Sequence, residues 1–245
     1  MKKNRKYGLI GKNIDYSFSK KFFSEKFEKE NLNCIYSNFD VENISHVKMI
    51  LQDDTINGFN VTIPYKEEII KFLDEIDEAA KTIGAVNTIK KINNKYIGFN
   101  TDFIGFEKSL LGLIENKKPE NALILGSGGA SKAIKYVLNK LKINYSTVSR
   151  KSGKSEFVYE DLNKRIINEH KFIINCTPVG TFPNTNEYPN IPYKYLTRAH
   201  ILYDLIYNPA QSLFLKKGMI FGCIIKNGLE MLEIQADESW RIWTK

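Results

Sequence analysis

Three short stretches in the first half of the chain end on polar side chains, and two of those ends, Lys66 and Asp102, can do acid–base chemistry. Asn60-Val61-Thr62-Ile63-Pro64-Tyr65-Lys66 sets Asn60 and Thr62 on one face of an extended run, which Pro64 stops just before Lys66. Gly84-Ala85-Val86-Asn87-Thr88 and Gly98-Phe99-Asn100-Thr101-Asp102 repeat the theme of amides and hydroxyls at a strand end. Together the three carry one ammonium, Lys66, and one carboxylate, Asp102. A cationic amine can stabilise a developing alkoxide and donate or relay its proton, while a carboxylate can orient the amine and accept from a hydroxyl. In open α/β sheets such groups meet a ligand outside the carboxyl ends of the strands.

A different chemistry is written farther on. The buried-strand run Ala122-Leu123-Ile124-Leu125 meets Gly126-Ser127-Gly128-Gly129-Ala130-Ser131. Gly126 permits a tight turn, Gly128 lets the backbone approach a pyrophosphate, and a helix from about Ala130 offers free N–H groups to that anion. Ser131 occupies the third glycine position of the strict pattern, so the flanking strand–helix–strand context carries the reading. The next strand ends in Ser149-Arg150-Lys151-Ser152-Gly153-Lys154, with no acid to grip ribose hydroxyls. Arg150 and Lys151 suit a 2′-phosphate, so the expected cofactor is NADP rather than NAD.

The elements that must position these residues alternate between strand and helix, which predicts an α/β fold. Strands are expected over 7–10, 34–39, 58–63, 122–125, 143–149, 172–175 and 201–205, with a hairpin of 85–92 and 95–99 around Asn93-Asn94. Helices are expected after Ser19 as N-cap, with Phe22, Phe23 and Phe27 on one face, over 41–51 and 66–73, and from 227 to the end.

Composition narrows the partners. A hydrophobic fraction of 42% with 26% charged residues is that of a globular chain. No apolar run approaches the ~18–20 residues of a membrane span, and the run after the basic N-terminus is too short for a signal peptide. A cytoplasmic protein is expected. Cys34, Cys176 and Cys223 are scattered, as are His46, His170 and His200, so neither a disulfide framework nor a metal site is predicted. The net charge of +8 comes from Lys spread along the chain, with five Arg among the 36 basic residues, which reads as a solvated surface and not a nucleic-acid face. A homodimer is left open.

Taken together the motifs resemble the shikimate dehydrogenase family. The stretches around Asn60, Gly84, Asn100 and Gly126 are joined by Asn175-Cys176-Thr177-Pro178-Val179-Gly180, Tyr203-Asp204-Leu205-Ile206-Tyr207-Asn208-Pro209, and Gly228-Leu229-Glu230-Met231-Leu232 with Gln235, in family order. The resemblance implies Lys66 and Asp102 as the catalytic pair and Ser17 and Ser19 as holders of a substrate carboxylate. Asn60, Thr62, Asn87, Asp102, Gln235 and either Tyr207 or Tyr203 are implied to line the substrate. Gly126, Ser127, Gly128, Gly129, Ala130, Ser131, Ser149, Arg150, Lys151, Thr177 and Gly228 are implied to hold NADP. Tyr16 and Lys20 stand where the family has His and Pro, and Ser149 and Lys151 replace its Asn and Thr or Ser.

The architecture it implies is a substrate domain of residues 1–102 plus 226–245, closed by the C-terminal helix, with a Rossmann-like NADP domain of residues 103–225 inserted and the active site in the cleft between domains. The implied reaction is reversible reduction of 3-dehydroshikimate to shikimate in aromatic amino-acid biosynthesis. A quinate/shikimate or related hydroxy-acid dehydrogenase is the alternative within the fold. A non-catalytic NADP-binding regulator is the alternative outside enzymology, and the intact Lys66 and Asp102 argue against it.

Overall fold

The computed structural model of the chain describes residues 4–15, 17–115, 118–151, 153 and 155–245. Tyr16, Ser152 and Lys154, which enter the sequence reading, lie outside them. The chain divides into two compact units, Met1–Ile104 with Glu233–Lys245, and Gly105–Leu232. The divisions fall inside two helices, Asp102–Ile114 and Leu229–Thr244, rather than at 102/103 and 225/226.

The first unit contains β1 (Arg5–Gly11), α1 (Phe18–Lys29), β2 (Cys34–Asp40), α2 (Val47–Leu51), β3 (Ile56–Val61), β4 (Glu75–Ile76), α3 (Glu78–Ile83), β5 (Thr88–Ile92) and β6 (Lys95–Phe99), and α4 (Asp102–Ile114) begins in it. Its sheet runs β2-β1-β3-β5-β6-β4. β1 pairs in parallel with β2 and β3, whereas β5 is antiparallel to both β3 and β6. Register sets Asn60 opposite Thr88 and Thr88 opposite Phe99. The carboxyl end of β3, the start of β5 and the carboxyl end of β6 therefore meet at one edge of the sheet. That edge is where the three polar motifs emerge.

Local chemistry shifts several expected helices. The N-cap of α1 is Ser17, not Ser19: Ser17 is extended (φ −60°, ψ 128°) and its hydroxyl accepts from the Ser19 N–H, so Ser19 is already inside the helix. Over 41–51, the Asn43 side chain caps Ser45, which delays the helix to a 3₁₀ turn, Ile44–His46, and the short α2. Residues 66–73 form a turn and then a 3₁₀ helix, Glu68–Phe72, closed by Leu73 N–H on the Ile70 carbonyl. β5 starts at Thr88 because the Val86 N–H bonds to the Lys66 carbonyl instead (2.7 Å).

The second unit contains the rest of α4 and β7 (Asn121–Leu125), α5 (Gly129–Lys140), β8 (Asn144–Ser149), β9 (Phe157–Val158), α6 (Lys164–Glu169), β10 (Phe172–Asn175), β11 (Ile201–Asp204), α7 (Leu213–Ile220) and β12 (Ile224–Lys226). α8 (Leu229–Thr244) starts here and ends in the first unit. The sheet is parallel throughout, in the order β12-β11-β10-β7-β8-β9. From the other edge this is the doubly wound dinucleotide-binding order, with its switch point between β7 and β10. Strands covered on both faces must be apolar throughout, and residues 122–125 and 172–174 are fully buried. The sequence reading missed β4, α3, α4, β9, α6, α7 and β12, of which only α4, with thirteen residues, and α7, with eight, are longer than six.

In the first unit, α8 packs its aromatic end on the sheet. Trp243 stacks on Tyr7 at 4.7 Å and donates from Nε1 to the Ile89 carbonyl at 2.9 Å. Gly58 makes room, since a methyl group there would lie 2.4 Å from Trp243 Nε1. No helix of the described residues is long and apolar enough to cross a membrane.

Candidate active site

Lys66 follows β3 and Asp102 opens α4, and the sheet edge brings them together. Lys66 Nζ donates to Asp102 Oδ2 at 2.6 Å, with side chains only 14% and 7% exposed. The other carboxylate oxygen, Oδ1, accepts from Asn87 Nδ2 at 2.9 Å. Asn87 cannot turn over: the Thr101 backbone N–H donates to its Oδ1 at 2.6 Å, and a backbone N–H can only donate. Its Nδ2 also reaches Thr101 Oγ1 and Gln235 Oε1, at 2.9 and 3.2 Å. An ammonium with two further N–H groups thus sits beside a carboxylate whose orientation is locked from behind.

Asn60 stands one layer deeper. Its Oδ1 accepts from the Tyr36 hydroxyl at 2.8 Å, while its Nδ2 faces the Asn87 carbonyl, Thr88 Oγ1 and Ser239 Oγ at 3.2, 3.3 and 2.9 Å. At 5% exposure and with both ends of the amide engaged, Asn60 is part of the frame behind the edge. Thr62, half-buried, lies nearer the surface, and its hydroxyl makes no hydrogen bond among the described residues. Ser17 and Ser19 are half-buried at the start of α1. Their loop is clamped from β2: Asp40 accepts from the Asn13 and Ile14 N–H groups, and Asn38 Nδ2 donates to the Ile14 carbonyl at 2.8 Å.

In the second unit the glycine turn joins β7 to α5. Gly126 has φ +107°, a conformation that favours glycine, and a methyl group there would lie 3.0 Å from the Thr177 methyl. The β7 turn and the loop after β10 therefore touch at the switch point. A methyl group on Gly128 would meet nothing within 4 Å, and α5 has no side-chain cap. Open space before uncapped N–H groups fits a pyrophosphate. Ser131 turns inward, its hydroxyl donating to the Gly128 carbonyl at 2.7 Å. Arg150 and Lys151 are exposed after β8, whereas Ser149 is buried and spends its hydroxyl on the Lys151 carbonyl (2.8 Å). The residues fit NADP.

Thr177 donates from both its N–H and its hydroxyl to Asn175 Oδ1, and Asn175 Nδ2 donates to Asp204. Ser212 and the Ile206 N–H also donate to Asp204. Burial still pushes the Asp204 carboxyl up to about 6. Burial raises the Cys176 thiol as well, which makes it a poor nucleophile. Gly228 is packed so closely that a methyl group would lie 2.1 Å from the Leu205 carbonyl oxygen. The two tyrosines separate cleanly. Tyr203 is fully buried, its hydroxyl 2.6 Å from Ser109 and its ring against Phe106, while Tyr207 is half-buried beyond the end of β11.

Comparison with known proteins covers both units of the chain. The family model of the shikimate dehydrogenase substrate binding domain matches residues 9–89. The shikimate dehydrogenase (NADP(+)) of Methanococcus maripaludis (strain C7) is 41% identical over 261 residues, covering 99% of this chain and 92% of the relative. The chain belongs to the shikimate dehydrogenase family. A crystal structure of a shikimate dehydrogenase in complex with NADP+ superposes with a TM-score of 0.88 at 35% identity, over 99% of this chain and 90% of the other. The Thermus thermophilus shikimate 5-dehydrogenase, solved with NADP(H) and shikimate, gives 0.86 at 26% identity, over 98% and 93%.

Beyond the residues that the family resemblance implies, the edge depends on Tyr36, Thr88, Thr101 and Ser239. Thr88 and Thr101 lie inside the quoted motifs, beside the amides they support. Ser239 follows Gln235 by four residues on α8, the spacing of one helix face, and its hydroxyl reaches Thr88 Oγ1 at 2.8 Å. Tyr36 carries no motif signal, because it sits within an ordinary strand.

Proposed function

We propose that the chain catalyses the reversible NADPH-dependent reduction of 3-dehydroshikimate to shikimate, with Lys66 and Asp102 as its catalytic pair. The observation that carries the reading is the short Lys66–Asp102 ion pair with Asn87 locking the second carboxylate oxygen. NADPH supplies the hydride when it is bound, and the residues around 126–131 with Arg150 and Lys151 would hold it. The chain itself manages charge and protons. As the substrate carbonyl becomes an alkoxide, the Lys66 ammonium stabilises the charge and hands over a proton from Nζ. In the reverse direction the neutral amine accepts that proton. Asp102 keeps Nζ aimed by holding one of its three N–H groups and accepts a hydrogen bond from a ring hydroxyl.

Ser17 and Ser19 anchor the substrate carboxylate, Thr62 offers its hydroxyl, and Asn87 holds Asp102 from behind with Gln235 beside it. Asn60 acts from behind. The reading places the enzyme in the cytoplasm, with shikimate and NADP as its ligands. Turnover measured with shikimate and with quinate, each with NADP+ and NAD+, tests it. Shikimate with NADP+ is expected to give the highest kcat/KM. Absence of shikimate oxidation, or an undiminished rate in Lys66→Ala, overturns the proposal.

A further inference from the structure

Tyr36 lies in the middle of β2, away from every glycine-rich or polar strand end. It is 4% exposed, and its ring stacks on Phe23 with centroids 4.6 Å apart. A purely packing role would be filled equally well by phenylalanine. A buried hydroxyl costs free energy unless it is bonded, so its partners show what it does.

The Tyr36 hydroxyl is 2.8 Å from Asn60 Oδ1. Which way that bond runs follows from the other end of the amide. Asn60 Nδ2 faces the backbone carbonyl of Asn87, which can only accept. Oδ1 must therefore point at Tyr36, and Tyr36 must donate. Among the described residues this is the one bond to Asn60 Oδ1. Burial also holds the phenol far above its ordinary range, so the proton stays on Tyr36.

We propose that Tyr36 is a positioning residue for the catalytic edge: it fixes the Asn60 amide, which in turn supports Asn87 and, through it, Asp102. The inference rests on the functional reading above. From Asn60 the line continues through the Asn87 carbonyl, and through Thr88 Oγ1, which lies 3.1 Å from Asn87 Oδ1. Removal of the Tyr36 hydroxyl leaves a buried amide oxygen without a donor. The amide is then held from its Nδ2 side alone, and the support behind Asn87 loosens.

Tyr36→Phe keeps the ring and deletes the one atom at issue. Assayed with shikimate and NADP+ at a temperature where circular dichroism shows the protein folded, it should lose about tenfold in kcat/KM for shikimate. The KM for NADP+ should stay within about twofold of wild type. Asn60→Ala should show the same pattern, and the double variant should be no worse than the poorer single one. A merely structural tyrosine would lower the melting temperature and leave these kinetics alone. Unchanged kcat/KM in Tyr36→Phe, or losses that multiply in the double variant, overturns the inference. A wild type that turns over no shikimate overturns the functional reading and this inference together.

Discussion

Asp102→Asn is a sharper test of the catalytic edge than deletion, because it changes one atom and the charge. Both carboxylate oxygens of Asp102 accept, Oδ2 from Lys66 at 2.6 Å and Oδ1 from Asn87 at 2.9 Å. Asparagine has one acceptor oxygen and an amide that only donates. Asn87 cannot flip to compensate, since the Thr101 N–H holds its oxygen. In either orientation of the new amide, one donor faces another donor. A lost hydrogen bond to a charged group costs about 1.5–3 kcal/mol, or roughly 10–150-fold in rate if it is felt in the transition state. Lys66→Ala removes the proton donor itself and should cost about 10²–10⁴-fold in kcat. The double variant should be little slower than Lys66→Ala, because the two residues work as a unit. The assay is NADPH absorbance with shikimate in excess, alongside thermal melts of each variant. Rate losses that multiply in the double variant, or a Lys66→Ala kcat above about a tenth of wild type, would refute the reasoning.

Other expectations follow from the same geometry. Arg150→Ala should raise KM for NADP+ by roughly 10–150-fold and leave NAD+ nearly untouched, with a smaller effect at high salt because Arg150 is exposed. Equal losses for both cofactors would assign Arg150 to the fold. Ser17→Ala should raise KM for shikimate and also cost about 1 kcal/mol of stability, since Ser17 caps α1, whereas an unchanged KM would remove the loop from the site. Asp204 titrates near 6 when folded, above its ordinary 3.8. A raised carboxyl favours the folded state at low pH and loses that advantage as pH climbs through the folded value. The unfolding free energy of wild type relative to Asp204→Asn, from denaturant titrations, should therefore fall between about pH 4 and 7, by up to about 3 kcal/mol. A pH-independent difference would show that the carboxyl titrates normally.

The meeting of the candidate site residues was legible because their chemistry sits at strand ends, where polar residues interrupt apolar runs. Lys66, Asn87 and Asp102 stand out in that way, and the register of β3, β5 and β6 brings them together. What lies behind them was not legible. Ser239 is preceded by Asp237 and Glu238 and reads as helix surface, yet it is fully buried. Asn60 reads as a ligand contact from its alternation with Thr62, but both faces of β3 are covered, so the alternation does not tell inside from outside. The same holds for Tyr203, in a strand buried at all four positions. Ser17 and Ser19 differ as caps only in backbone angles, which composition does not encode. Short 3₁₀ turns such as Glu68–Phe72 share the apolar spacing of an α-helix over so few residues.

The last turns of α8 complete a sheet whose first strand begins at Arg5. On the ribosome, this makes the earliest part of the chain wait for the latest. Gly105–Leu232 is synthesised whole before Glu233 exists, so the cofactor unit can fold as it emerges. The substrate unit meanwhile lacks Gln235, Ser239 and Trp243 for the time taken to make that segment, on the order of ten seconds at ~5–20 residues per second. During that interval the Tyr7 ring, the slot at Gly58 and the amides of Asn60 and Asn87 have no helix against them. A nascent chain arrested before Glu233 therefore carries the sheet of β1 to β6 without the last turns of α8 against it.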